Sequence, residues 1–352
     1  MKQKKQLTKK SLTTFLVVMV VVLLLIAGRV FVRKAYRSNY KTPENAVSAA
    51  DWMKQVDGSR KLNLINLPGS HDSATNYVQF PLISQCQYLS VEEQLNRGIR
   101  YLDIRLAINE KSREALNLVH GPAKCKSADG FGAENYRLDS LLSTCYAFLE
   151  KHPTETIVIN CKLDSGKQDI EELQKRIQLL IEKNPANWYT KDAMPQLEEV
   201  RGKIVLCRRY EDEAGYGDAA GMDLSWTDMP GAYKETDSAC NTEELTWGGT
   251  IMVQDHYEYT ADNKSAVVEQ AYKDANALSS EKQQNTVFLN FLSTKGTDAA
   301  FGTPYRAASK INPVFLKMDK KAYEWLGWTI MDYCDEELAR AIFETNLARK
   351  TN

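Results

Sequence analysis

Tyr101-Leu102-Asp103-Ile104-Arg105-Leu106 is the stretch on which the fold reading turns. Read as a strand, Leu102, Ile104 and Leu106 share one face, and Tyr101, Asp103 and Arg105 share the other. Thr156–Lys162 repeats the pattern. Ile157, Ile159 and Cys161 lie on one face, Asn160 and Lys162 on the opposite one. A barrel strand normally packs apolar side chains on both faces. Ionisable groups on an inner face are expensive unless they are paired or used.

Working outward, strand-like runs recur at Leu62–Leu67, Leu116–His120, Ile204–Arg209, Ile251–Asp255, Val287–Leu292 and Trp328–Tyr333. Helical patterns fill several gaps: Val91–Arg97, Leu138–Lys151, Asp169–Glu182, Ser265–Ala277 and Glu336–Leu347. Eight strands with interleaved helices predict an α/β chain folded as a distorted (β/α)8 TIM-like barrel. An open doubly wound sheet is the alternative. No G-x-G-x-x-G or Walker-type loop appears, so nucleotide binding gains no support.

The N-terminus differs from the rest. The chain has 352 residues, with 45 Lys+Arg against 46 Asp+Glu. Residues 1–37 hold nine of the basic residues and no acid, so the remainder stands at 36 against 46, a balance of −10. Between the basic clusters, Ser11–Gly28 carries no charge. As a helix at about 1.5 Å per residue it would span ~27 Å, close to a bilayer core. We therefore expect a transmembrane signal-anchor at 1–37, a linker at 38–50 and a barrel at 51–352. That arrangement makes the chain membrane-anchored and single-pass, with the barrel outside the cell. A cleaved signal peptide, giving a secreted protein, is the competing reading.

Hydrophobic residues make up 43% and charged residues 26% of the chain, ordinary globular values that exclude wholesale disorder. An acidic barrel is a poor nucleic-acid binder, and would not steer any anionic partner from a distance either. Attraction to one would have to be local. The seven cysteines form no C-x-x-C pair and no zinc spacing. Cys161 and Cys207 sit in apolar runs and read as buried thiols.

There are four histidines. His71 follows a strand in Leu67-Pro68-Gly69-Ser70-His71-Asp72-Ser73, where Pro-Gly reads as a sharp turn. His120 ends another run, before Gly121-Pro122. Taken singly, each fits a capping loop or a strand end. Lys162, Arg209, Asp255 and Asp332 also fall at strand C-terminal ends, where barrel active sites lie. His152 reads as surface, and His256 as facing away from the site. Two histidines among cations suggest a general base and a general acid acting on an anion such as a phosphodiester. A metal site is the rival, and Arg105 argues against it.

These motifs, with Gln94–Arg105, Phe148–Thr156, Gly202–Leu206, Val253–Tyr257 and Met331–Tyr333, resemble the X-domain of bacterial phosphatidylinositol-specific phospholipase C. The resemblance spans about Asp51–Asn352 in the right order. It implies a distorted TIM barrel that cleaves phosphatidylinositol to diacylglycerol and inositol 1,2-cyclic phosphate. It makes His71 the base on the inositol 2-hydroxyl and His120 the acid for the leaving oxygen. Asp332 would orient His71, and Asp72 would support His120. Arg105 stands where a calcium-dependent branch carries a metal-binding Asp, so neither metal nor cofactor is expected. Lys162, Arg209 and Asp255 match positions that hold inositol hydroxyls, and Tyr257 an aromatic beneath the ring. Phe301 stands where secreted relatives often carry a rim Trp. The protein is expected to act as a monomer on phosphatidylinositol in membranes. Open alternatives are a phosphodiesterase for another lipid or a glycan-linked phosphatidylinositol anchor, and a non-catalytic inositol-lipid-binding domain.

Overall fold

The computed structural model describes residues 13–21, 23, 40–130, 132–296 and 302–347. The chain divides into two units, Met1–Lys41 and Thr42–Asn352. In the first, residues 13–21 are helical. Among the described residues no helix is long and apolar enough to cross a membrane. Most of the expected anchor and its basic flanks, and Phe301, lie outside the described residues.

The second unit is built on one sheet. Its strands are β1 (Leu67–Ser70), β2 (Tyr101–Ile108), β3 (Leu116–His120), β4 (Ala123–Lys124), β5 (Ile157–Leu163), β6 (Trp188–Tyr189), β7 (Ile204–Arg208), β8 (Met222–Asp223), β9 (Asn241–Glu244), β10 (Thr250–Gln254), β11 (Thr286–Phe291) and β12 (Trp328–Met331). The order is β6-β7-β5-β2-β1-β12-β11-β10-β9, with β8 also on β7. Seven long strands, β7-β5-β2-β1-β12-β11-β10, pair in parallel throughout.

The expected distorted (β/α)8 barrel is found as an α/β fold whose sheet curls but stays open, with seven full parallel staves rather than eight. On the β7 edge the eighth stave is only two dipeptides, β6 and β8, which pair with the start and end of β7. On the other edge β9 runs antiparallel to β10. Side chains span the gap instead. Arg208 Nη2 donates to Thr246 Oγ1 at 3.0 Å, Thr246 N to Asp223 Oδ2 at 3.1 Å and Trp247 Nε1 to the Asp223 carbonyl at 3.1 Å.

Two more expectations change. Leu116–His120 is no stave; it forms a hairpin arm, antiparallel to β2 and β4. The first strand begins at Leu67 rather than ending there, and Leu62–Leu64 is a 3-10 turn. Pro68-Gly69-Ser70 is therefore paired strand, not a turn. Pro68 still accepts the Arg100 amide at 2.9 Å through its carbonyl. Gly69 lies where Tyr101 and Ile330 close over the strand; a Cβ there would meet their side chains at 3.0–3.2 Å, a tight fit.

The helices follow their sequence signals. Ser90 and Glu93 cap Val91–Asn96 reciprocally, and Asp169 caps Ile170–Glu182. Leu138–Lys151 and Glu336–Leu347 fall where their periodicity puts them. Pro304–Lys317 is an additional helix. Its start carries a Thr303 N-cap and Pro at the first helical position, but Pro313 inside it masks the pattern.

Candidate active site

The parallel strands bring their C-terminal ends to one mouth, and β2 supplies its centre. Asp103 and Arg105 point inward from β2, and Arg105 sits beside Lys162 in the β2–β5 register. His71 and Asp72 leave the end of β1, Asp332 the end of β12, Asp255 the end of β10 and Arg209 the end of β7. His120 arrives differently, carried over the mouth by the β3–β4 hairpin. Gly121, at φ +52, lets the hairpin turn, and its amide donates to Asp164 Oδ2 at 2.6 Å.

Two non-glycine residues at the mouth hold left-handed backbone, Asp72 at φ +45 and Tyr333 at φ +49. Such conformations cost of order 1 kcal/mol and persist only where surroundings over-determine them. The Asp72 amide is fixed by Asp103 Oδ2 at 3.1 Å. Tyr333 is fixed by its amide to the Cys86 carbonyl at 2.6 Å and its hydroxyl to the Gln85 carbonyl at 2.7 Å.

His71 is the hub. Its Nδ1 lies 2.7 Å from Asp332 Oδ1, and its Nε2 lies 3.3 Å from Asp72 Oδ2 and 3.0 Å from Arg105 Nη2. Burial pulls the His71 pKa down, but Asp72 and Asp332 more than reverse this and hold it at about 9. Arg105 opposes them. A guanidinium only donates, so the Arg105 contact at Nε2 suits the neutral ring with its proton on Nδ1, whereas Asp72 and Asp332 favour the imidazolium. The ring thus stands between a cation that favours its neutral form and two carboxylates that favour its charged one.

His120 mirrors this arrangement. Nδ1 lies 2.8 Å from the Ser84 carbonyl, fixing the ring, and Nε2 faces Asp72 Oδ2 at 3.5 Å. The two imidazoles stand 6.3 Å apart, edge to face, with Asp72 Oδ2 within reach of both Nε2 atoms. Arg105 Nε pairs with Asp72 Oδ1 at 3.1 Å and with Asp103 Oδ2 at 3.4 Å, and Nη1 lies 3.6 Å from Asp164 Oδ1.

The second half of the mouth gathers Arg209, Lys162, Asp255, Trp226 and Tyr257. Arg209 stacks its guanidinium 3.5 Å over the Trp226 ring and donates to Asp228 Oδ1 at 2.7 Å. Trp226 Nε1 donates to Asp255 Oδ2 at 3.2 Å, and Arg209 Nη2 is 3.9 Å from the same oxygen. Lys162 is half-buried; burial, Arg209 and Arg105 lower its pKa. Tyr257 offers its ring to Lys295 Nζ at 5.0 Å.

His256 does face away, stacked on Tyr259 and bonded to the Ser238 carbonyl at 2.9 Å. His152 is half-buried and pairs with Asp51 at 2.7 Å, so it is not a simple surface residue. All seven cysteines are free thiols, and Cys161 and Cys207 are buried as expected.

Sequence reasoning missed Asp103, Asp164, Cys86 and Trp226 as parts of the site. Asp103 and Asp164 each lie two residues from an assigned cation on the same strand path, a usable period-two signal. It also missed Phe80, Leu82 and Ile83. These are 67%, 61% and 64% exposed around the short helix Pro81–Ser84, whose last carbonyl holds His120.

Three trios could offer donors to a metal: His71–Cys86–Asp332, Asp72–Cys86–His120 and His71–Asp72–Asp103. Each contains a residue already in contact with Arg105. A divalent cation there would sit against a guanidinium, and Coulomb repulsion opposes it.

Similarity to known proteins agrees with this layout. A family profile for the phosphatidylinositol-specific phospholipase C X domain matches residues 65–210. The 1-phosphatidylinositol phosphodiesterase of Staphylococcus aureus (strain Newman) is 28% identical over 85% of this chain and 92% of its own length. That of Listeria monocytogenes is 27% identical over 89% of this chain and 90% of its own. A crystal structure of the S. aureus phosphatidylinositol-specific phospholipase C with pentafluoro-Phe incorporated superposes with a TM-score of 0.67 at 26% identity. It covers 85% of this chain and 98% of that one. Residues 65–210 match the phosphatidylinositol-specific phospholipase C X domain, and motif order, open-barrel topology and these relatives make the chain similar to the bacterial phosphatidylinositol-specific phospholipases C over most of its length.

Proposed function

We propose that the protein cleaves phosphatidylinositol to diacylglycerol and inositol 1,2-cyclic phosphate. His71 Nε2 takes the proton of the inositol 2-hydroxyl, and that oxygen attacks its own phosphorus. The bond from phosphorus to the glycerol oxygen breaks, and His120 gives that oxygen a proton. No water is consumed. Asp332 holds the His71 ring and stabilises the imidazolium as it forms. Arg105 neutralises the non-bridging phosphate oxygens, the work a calcium ion would otherwise do. Asp72, between the two Nε2 atoms, fixes their separation. Lys162, Arg209 and Asp255 take the inositol hydroxyls, and Tyr257 packs beneath the ring. A site built on such hydrogen bonds discriminates strongly against head groups lacking them.

The observation that carries this reading is the pair of imidazoles 6.3 Å apart with a guanidinium 3.0 Å from one of them. Exposed Phe80, Leu82 and Ile83 beside His120 are suited to meet lipid. The N-terminal apolar run would keep the enzyme on a membrane; a mature chain beginning near residue 29 would remove that part of the reading. The decisive assay is turnover of phosphatidylinositol vesicles in EDTA, with the cyclic product followed by phosphorus NMR. Cyclic phosphate should appear. No cleavage, or cleavage only with added calcium, would overturn the proposal.

A further inference from the structure

Asp255 stands one residue beyond the last rung of its ladder. The β10–β11 pairing ends at Gln254 opposite Asn290. Among the described residues the Asp255 amide meets the Met229 thioether, at 3.4 Å. The backbone that aims its carboxylate is held by Lys264 instead. Lys264 Nζ donates to Gln254 Oε1 at 2.8 Å and to the His256 carbonyl at 3.0 Å. Gln254 Oε1 also accepts the His256 amide at 3.0 Å. The Gln254 amide nitrogen in turn donates to Asn290 Oδ1 at 2.8 Å and the Phe291 carbonyl at 2.7 Å. Both neighbours of Asp255 are thus tied to one ammonium.

That ammonium is badly placed for stability alone. Lys264 is 0% exposed. It lies near the start of the helix Ala261–Asn276, where the helix dipole disfavours a cation. Burial pulls its pKa down to about 7, with Asp255 and Asp332 resisting. Its hydrogen-bond acceptors, Gln254 Oε1 and the His256 carbonyl, are both neutral. A Lys→Met exchange would remove the cost of a buried cation but leave the His256 carbonyl without this donor; the two effects oppose each other, so stability alone does not explain why Lys stands here.

We infer that Lys264 is a positioning residue: through the Gln254–His256 clamp it sets the Asp255 carboxylate against the substrate's polyol. The inference rests on the proposed role of Asp255 as an acceptor for inositol hydroxyls. The test is a double-mutant cycle of Lys264→Met and Asp255→Ala, assayed on phosphatidylinositol in phosphatidylcholine vesicles. Misplacing a substrate contact by about an ångström costs up to ~100-fold. Lys264→Met should lower kcat/KM by roughly 10- to 100-fold, mostly through KM, with Tm little changed. In the Asp255→Ala background it should do nothing more. Lys264→Gln, which keeps one donor, should recover part of the loss, and it serves in the cycle if the Met variant does not fold.

Impaired Asp255→Ala beside a folded, unimpaired Lys264 variant would overturn the clamp alone. So would losses that multiply in the double variant. Wild-type turnover in Asp255→Ala would overturn the reading of Asp255 and the clamp with it.

Discussion

Two arginines five residues apart on one strand path, Arg100 and Arg105, live opposite electrostatic lives. Arg100 lies at the N-terminal end of the sheet, fully buried. Its Nε and Nη2 donate to Glu155 Oε2 at 3.0 and 2.8 Å, and the other donations go to the carbonyls of Leu95, Ile99, Ala49 and Ala50. Burial lowers its pKa, and Glu155 only partly offsets that. Arg105 lies at the mouth. Burial pushes its pKa down too, but Asp72, Asp103 and Asp164 outweigh burial and drive it well up. One end of the strand closes a cation inside a shell of carbonyls around one carboxylate. The other gathers three carboxylates and the His71 imidazole around one cation and leaves it partly open, with 16% of the Arg105 side chain exposed. Closed pairing serves the fold; surplus charge facing an opening serves chemistry.

Breaking each arginine should therefore damage different things. Removing one partner of a buried pair leaves the other uncompensated, at about 3–5 kcal/mol. Arg100→Met should lower unfolding free energy by about that much in urea melts, while the folded fraction keeps near wild-type kcat. A loss of kcat at intact stability would dissolve the contrast.

Arg105→Lys should do the reverse. A lysine keeps the charge but loses the fork that reaches His71 Nε2, Asp72 and Asp103 together. Removing one preorganised donor to a developing anion costs about 10²–10³ in kcat. We expect a loss of that order with the melting temperature held. Full activity in this variant would mean that a point charge suffices and that the guanidinium geometry is incidental.

The same contrast explains what could be read in the sequence. Alternation in Tyr101–Leu106 and Thr156–Lys162 exposed the inner face, because a two-residue period survives any tertiary detail. That His71, His120, Arg105 and Asp332 meet at one mouth was legible because a charge at a strand's C-terminal end has few structural uses. The eighth stave was not legible. Trp188-Tyr189 and Met222-Asp223 are too short to carry a period, and β3 mimics a stave because a hairpin arm and a barrel strand share the same apolar pattern. The start of β1 was misplaced because Pro-Gly signals a turn locally, while the close approach of Tyr101 to Gly69 comes from β2, thirty residues on. Lys264 was invisible for a similar reason. Nothing in its neighbours says that helix Ala261–Asn276 turns its first residues onto the end of β10.

The finest test of the mouth concerns proton affinity rather than rate. His71 must be neutral to act as a base, yet Asp72 and Asp332 favour its charged form and hold its pKa at about 9. Activity in kcat/KM should rise with pH as His71 of the free enzyme loses its proton. Asp332→Asn keeps an acceptor for the Nδ1 proton but removes a charge in direct contact. The imidazolium loses that support, so the His71 pKa falls and the rising limb moves to lower pH, by about one unit or more. The plateau should drop as well, because the same charge stabilises the imidazolium formed in the transition state. A kinetic limb reports a macroscopic value for the whole site. Imidazole proton NMR of the free protein supplies the assignment, and His71 should titrate at lower pH in the variant. A limb and a resonance that both stay put would show that Asp332 orients the ring without setting its charge, and would leave Asp72 as the carboxylate that does.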